Sequence, residues 1–444
     1  MLKKSLVIII SALIISSFAA CTGNAGQSSA DSSSVTSGSA VSADSSSSGN
    51  SSSSDSGEVT FSGYEKGIID TTNIFTKRDL TQTADTSSAK TLEVSDGQTL
   101  KITEEGVYVI KGIAKNCTIR VEADDTAKVQ LVLDGVSITN DSTPAIYVVS
   151  ADKCFVTTGA DSTLSVTGAF TADSDTNTDA VIFSKDDLVL NGTAALTINS
   201  AQGNGVTGKD DVKVTGGTYN ITSALDSIEA NDSIAIYDGT LTINSSKDGL
   251  HSENSDDDTK GYVYIHGGTF TINAKSDAVQ ATTYLQIDGG TFKLTAAEGF
   301  EGTSIQINDG TIDISASDDG INGAQKSKSI GTPSIEINGG KLTIVMGQGD
   351  TDAIDCNGNI TVNGGTIDIT AQMSSFDYDG TATYNGGTII INGQEVNSIP
   401  QSQMMGGGMG GQMGGQMGGQ MGGQGGMAPG GQNGNAFGGN GFAR

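Results

Sequence analysis

Acidic residues recur along the middle of this chain at a spacing that brings them together only if the chain winds. Asp179, Asn204, Asp226, Asp248, Asp277, Glu298, Asp319 and Asp352 are each followed by a small residue and then an apolar one. Three places after each of these from Asn204 on comes a second polar position, occupied by Thr207, Glu229, His251, Gln280, Glu301, Asn322 and Asp355. If each unit is one turn of a solenoid, equivalent residues lie about 4.8 Å apart. Two unit charges at about 5 Å repel by roughly 3 kcal/mol at an effective dielectric near 20 and by under 1 kcal/mol in water. A stack of carboxylates therefore calls for full hydration with raised pKa values, or for cations between the turns. Hard divalent ions with six to eight oxygen ligands suit such a column, and Ca²⁺ is the expected ion. The candidate metal ligands are Asp226, Glu229, Asp248, Asp277, Glu298, Glu301, Asp319, Asp352 and Asp355.

The elements that must hold these acids are legible from the rest of the unit. A turn glycine recurs at Gly192, Gly217, Gly239, Gly268, Gly290, Gly310, Gly340, Gly365 and Gly387, in steps of 25, 22, 29, 22, 20, 30, 25 and 22. A basal period near 22 with insertions means stacked units. Apolar residues alternate before the turn (Ile234 and Ile236, Ile305 and Ile307) and after it (Leu241 and Ile243, Phe292 and Leu294). Alternation is the mark of strands, and the unit is too short for a helix pair. A third apolar position follows the acid at Ile228, Leu250, Val279, Phe300, Ile321 and Ile354. The expected fold is all-β, a single-stranded parallel β-helix of about 21–22 residues and three short strands per turn. The leucine-rich repeat, of similar period, is excluded by the β-branched residues in every half-unit. The 29- and 30-residue steps place insertions at Ser252 to Lys260 and Gly323 to Thr332, both after the second polar column, where a binding face or a tolerant corner would put them.

The flanks have different compositions. Residues 1–20 read as an export signal: Lys3 and Lys4, an apolar stretch from Leu6 to Ile15, and Phe18-Ala19-Ala20 before Cys21. Cysteine at that position resembles a bacterial lipobox, so Cys21 is the expected lipidation site. The mature protein is then expected outside the cytoplasm, held at the cell surface by a lipid anchor. Residues 21–57 are Ser-rich and read as a disordered stalk. Residues 58–90 read as a lead-in or cap over the first turn, residues 91–395 as the β-helix, and residues 396–444 as a disordered tail. That tail carries Met409, Met413, Met417 and Met421, thioethers that could hold a soft metal such as Cu(I).

Charge narrows the partners. There are 51 acids against 23 bases, a net charge of −28 that becomes −30 when Lys3 and Lys4 leave with the signal. Such a field excludes nucleic acid and attracts cations. Cys117, Cys154 and Cys356 are too few and too scattered for a disulfide framework and are expected as buried thiols. A monomer is expected.

The turn-plus-acid unit, the approach Lys128-Val129-Gln130-Leu131-Val132-Leu133-Asp134-Gly135-Val136, the Pro144-Ala145-Ile146-Tyr147 step and the Gly-Met-rich tail together resemble the bacterial carbohydrate-binding β-helix lipoproteins. The resemblance covers about residues 75–395. It implies a right-handed helix related in shape to pectate lyases, calcium sites, and binding of plant cell-wall polysaccharide, notably polygalacturonate or pectin. It supplies no residue-level sugar site. Cellulose is a further candidate, although the chain has no tryptophan to make the flat platforms that grip neutral glucans.

The competing classes are an enzyme on the same fold and a structural adhesin. A calcium-dependent lyase needs a cationic base in the groove, and Arg78, Arg120 and Arg444 all lie outside the acidic array, with Lys247, Lys275 and Lys293 isolated. Asp318-Asp319 offers paired carboxylates for a hydrolase, but the His and Arg-x-Lys companions typical of polygalacturonases are missing. His266 falls in a turn column with Asp288, Asn308, Asn338 and Asn363, which reads as a structural ladder. The expected protein is a non-catalytic binder.

Overall fold

The computed structural model describes residues 67–401 apart from Ser255 and Asp350. The signal segment, Cys21, the stalk, residues 58–66 and the tail from 402 lie outside the described residues. Within them the chain forms strands from Lys90–Glu93 to Gln394–Val396 and no helix. One sheet has 23 strands and the other 13, which is the ratio expected when each turn gives two strands to the first and one to the second. In one turn Asn204–Gly208, Asp211–Val214 and Thr218–Ser223 pair in parallel with Ile228–Ala230, Ser233–Ile236 and Thr240–Ser245 of the next. The fold is a parallel β-helix with three strands per turn.

The inward positions expected from alternation are the core. Ile234, Ile236, Leu241, Ile243, Leu250, Val279, Phe300, Ile321 and Ile354 are all fully buried and stack on their counterparts, as Phe270 does on Phe292 with centroids 4.5 Å apart. The turn glycines explain why the period is so regular. Each has positive φ, from 78° at Gly340 to 136° at Gly239, a region that L side chains avoid. At Gly340 a Cβ would also lie 2.8 Å from the Gly310 carbonyl oxygen one turn below.

Polar ladders hold the outer corners. The side-chain amide of Asn308 donates to Asp288 at 2.7 Å, Asn338 to Asn308 at 2.8 Å, Asn363 to Asn338 at 2.7 Å and Asn385 to Asn363 at 2.7 Å. His266 continues this column by stacking on Tyr237 with centroids 4.5 Å apart. It is part of the scaffold, as its place in the sequence suggested.

Two features depart from the sequence expectation. The described part of the lead-in, residues 67–89, does not sit over the first turn. It runs along the flank of the larger sheet as a strap. Ile69 N–H donates to Gln286 Oε1 at 2.9 Å, Phe75 packs against Tyr237 and Tyr264, and Asp79 pairs with Lys153 at 3.4 Å. Gln82 then donates to the Thr215 carbonyl at 2.9 Å. Under the strap, the outward residues Phe155, Val189, Ala235 and Tyr264 are buried. Covering that apolar stripe is worth more than covering one end, because each large side chain removed from water contributes about 1.5–3 kcal/mol. At the other end Gln394–Val396 folds back antiparallel onto Thr388–Ile391 and closes the last edge of the smaller sheet, the device by which open edges are blunted.

The second departure is one of register. Ala180, and not Asp179, stands opposite Asn204. The loop before it lengthens this turn, so Asp179 falls one residue outside the acid column. Cys117, Cys154 and Cys356 are buried free thiols.

Candidate functional site

The first polar column is built by hydrogen bonds that pass from turn to turn. The backbone N–H of Asp226 donates to Asn204 Oδ1 at 2.9 Å, that of Asp248 to Asp226 Oδ1 at 2.9 Å, and that of Asp277 to Asp248 Oδ1 at 2.9 Å. Asp352 N–H repeats the contact with Asp319 Oδ1 at 3.2 Å. A short side chain with an acceptor oxygen is thus used at these four levels, which suits Asp or Asn at the position. The following residue must be small because it packs against the next turn: a Cβ at Gly249 would lie 2.5 Å from the Ala278 carbonyl. In Asp226, Asp248 and Asp319 one oxygen serves the fold and the second faces neighbouring side chains.

The second column is one continuous row. Strand register places Thr207 beside Glu229, then His251, Gln280, Glu301, Asn322, Asp355 and Asp377. Upstream the row runs through Phe183, Tyr147 and Arg120. Arg120, set apart from the acids in the linear sequence, therefore stands in line with them.

Two groups of ligating side chains converge, their atoms all within 4.8 Å of one another: Asp226, Asp248 and His251, and Asp277, Glu298 and Glu301. The sequence reading had not counted His251 as a ligand. Its Nδ1 lies 3.5 Å from both Asp226 Oδ2 and Asp248 Oδ2. Lys247 Nζ is 2.8 Å from Asp226 Oδ2. Here two carboxylates face a lysine and an imidazole. Against the opposing pull of burial, the hydrogen bonds from His251 and Lys247 hold the Asp226 carboxyl below its usual range, while burial raises Asp248. Burial also opposes protonation of His251, but its hydrogen bond to Asp226 prevails and raises its pKa.

The second group is less balanced. Three carboxylates meet one lysine, Lys326, whose Nζ is 2.6 Å from Glu301 Oε1. Burial first, then the charges of Asp248, Glu298 and Glu301, push Asp277 up to about 9. Glu298 rises to about 8 by burial and by Glu301. Asn322 donates to Glu298 Oε2 at 3.1 Å, while its own buried Oδ1 has no partner among the described residues. Lys326 belongs to the longer insertion, whose Lys326 and Ser327 N–H groups are fixed on Thr303 Oγ1 at 3.0 and 2.9 Å. That insertion also meets the other one, where the Ser329 hydroxyl donates to Asp258. The two insertions share one side of the acidic row.

The remaining candidates lie outside both groups. Glu229 is 3.5 Å from Lys209 and accepts from Asn204. Asp319 is pushed up to about 7 and Asp355 to about 6, each by burial and then by neighbouring acids, but with Asp352 they do not close into a comparable group.

The second group fits a hard cation. Two oxygens on one Ca²⁺ can be at most twice its bond length apart, about 4.6–5.2 Å, and three carboxylates meet that limit beside an orphaned amide oxygen. The first group, with its nitrogen donor and two resident positive charges, fits calcium less well.

A solved structure, the polysaccharide lyase-like protein from C. thermocellum as a gadolinium derivative, is 29% identical and aligns with 50% of this chain and 96% of its own, at a TM-score of 0.45. A carbohydrate-binding domain-containing protein of Acetivibrio thermocellus is 34% identical over 134 residues, 29% of this chain. The match spans 46% of that relative, less than half its length. The family described as carbohydrate-binding domain-containing protein matches residues 96–353 and 304–413, which is nearly the whole solenoid. The chain therefore belongs to the carbohydrate-binding domain-containing proteins.

Proposed function

We propose that this protein is a non-catalytic, cell-surface binder of acidic plant cell-wall polysaccharide, of the polygalacturonate or pectin type, acting through calcium held on the acidic row. The observation that carries this reading is the Asp277, Glu298 and Glu301 group: three carboxylates within 4.8 Å of one another, of which Asp277 and Glu298 are pushed toward neutrality by burial and by neighbouring acids. A protein at −28 repels a polyanion. Calcium resolves that conflict by accepting oxygens from the protein and from a uronate together, since it takes six to eight ligands. The protein's own residues would hold the ion through Asp277, Glu298 and Glu301, with Asn322 beside them and Lys326 giving way.

Lipidation at Cys21 would place the domain outside the cell on a Ser-rich stalk, as a monomer. Export and anchoring are supported by residues 1–21 alone. Cys21→Ala is expected to release the protein from membranes, and retention of the variant in washed membrane fractions would refute the anchor.

The binding test is pull-down on polygalacturonate with and without chelator, with an assay for unsaturated products. Calcium-dependent retention without product supports the proposal. Retention that survives full chelation would overturn the bridging, and accumulation of unsaturated oligomers would make the protein a lyase.

A further inference from the structure

Upstream of the acid groups the same outward row changes character. It passes from Thr207 through Phe183 to Tyr147 and Arg120. The Arg120 guanidinium lies over the Tyr147 ring, 4.7 Å from its centroid, and Phe183 meets Tyr147 edge-on at 5.7 Å. Beside them opens a cavity of about 200 Å³, lined among others by Thr118, Arg120, Thr143, Tyr147, Asp173 and Thr178. That is smaller than the roughly 300–1,000 Å³ of pockets for drug-sized ligands, and it suits a single sugar ring.

Two features mark this cavity as built. Tyr147 is 2% exposed and its hydroxyl has no partner among the described residues. Leaving a buried polar group unpaired is costly, a cost that a ligand oxygen would remove. Arg120 is engaged twice, by Glu122 and by Asp173, whose Oδ2 lies 2.9 Å from Nη1. Asp173 stands in the loop between Ser162–Val166 and Ala180–Ser184, and its side chain is 42% exposed. An ion pair with so exposed a partner is weak and readily exchanged.

We propose that this cavity is a uronate subsite in which the Asp173 carboxylate occupies Arg120 until a sugar carboxylate takes its place. The proposal rests on the acidic-polysaccharide reading above. The displaced Asp173 carboxylate stays tethered on its loop and turns to solvent, so Arg120 trades one anionic partner for another and no bridging metal is needed. The planar guanidinium, stacked on an aromatic face, is the group that carboxylates pair with best. Tyr147 then donates to a ring or hydroxyl oxygen. Four turns separate Tyr147 from His251, about 19 Å at 4.8 Å per turn, so one extended chain can meet this cavity and the acid groups together.

The test uses the full chain and short galacturonate oligomers, followed by NMR titration in chelator, because a lone subsite is too weak for pull-down. Asp173→Asn is expected to tighten oligomer binding several-fold. Tyr147→Phe is expected to weaken it several-fold with an unchanged melting curve, and Arg120→Lys by about 10-fold through loss of the bidentate pairing. Neutral galactose oligomers are expected not to bind. Equal affinity of Asp173→Asn and the unaltered protein, both folded, would overturn the subsite. If that result comes with calcium-dependent retention on polygalacturonate, only the subsite fails; if polygalacturonate is not retained at all, the acidic-polysaccharide reading fails and the subsite with it.

Discussion

Asp248 donates its backbone N–H to the Asp226 carboxylate of the turn below, at 2.9 Å. The bond gives the acid column a structural duty that precedes any metal. Asp226→Asn keeps the acceptor, as Asn204 does one turn earlier, but takes a buried charge away from Lys247 and His251, and is expected to cost about 1 kcal/mol. Asp226→Ala removes an acceptor that carries charge and is expected to cost about 1.5–3 kcal/mol. Urea unfolding of the two variants separates the duty of the oxygen from that of the charge.

Without a cation, the second group holds carboxylates whose pKa values are raised in the folded state, to about 9 for Asp277 and about 8 for Glu298. Raised carboxyls bind more protons folded than unfolded, so their stabilisation is present at low pH and is lost as pH rises from the unfolded values near 4 toward 9. Chelated protein is therefore expected to melt lower at pH 8 than at pH 5, by at least about 5 °C. Excess calcium should flatten that slope. A chelated midpoint that rises over this interval would contradict the assigned charge balance.

Calcium entering the same group must displace those protons. One to two protons per ion, an order-of-magnitude expectation from the raised values, should be released at pH 7. Calorimetry in buffers of different ionisation enthalpy measures the number directly. Glu298→Gln should lower both calcium affinity and proton release.

The strap makes a separate prediction. Phe75 is buried between Tyr237 and Tyr264, and Phe75→Ala is expected to cost about 3–5 kcal/mol. Removing residues 67–89 should also expose Phe155, Val189, Ala235 and Tyr264, seen as dye binding and self-association. The solenoid itself should keep its far-ultraviolet β spectrum.

Burial pushes the Cys154 and Cys356 thiols up to about 12 and raises Cys117 as well. Thiolate is the reactive form. Mass mapping after alkylation at pH 8 should find all three unmodified in the native protein and all three labelled in denaturant.

The sequence by itself determined the repeat. Glycine at a positive-φ turn, alternating inward pairs and a short acceptor after each polar run are local requirements, and each turn restates them within about 22 residues. The second polar column was readable for the same reason, since a fixed offset of three residues survives any insertion elsewhere. Even the strap left a trace: Leu188-Val189-Leu190 and Ile234-Ala235-Ile236 are apolar throughout, where uncovered turns read Ile335-Glu336-Ile337. Tertiary structure decided what depends on loop length and on distance through space. The extra residue before Ala180 put Asp179 out of line, the strap settled along the flank, and His251 closed on Asp226 and Asp248 while Glu229 lay apart. Side chains one turn apart meet by the direction each takes from its backbone and by the charges already there. Spacing along the chain carries neither.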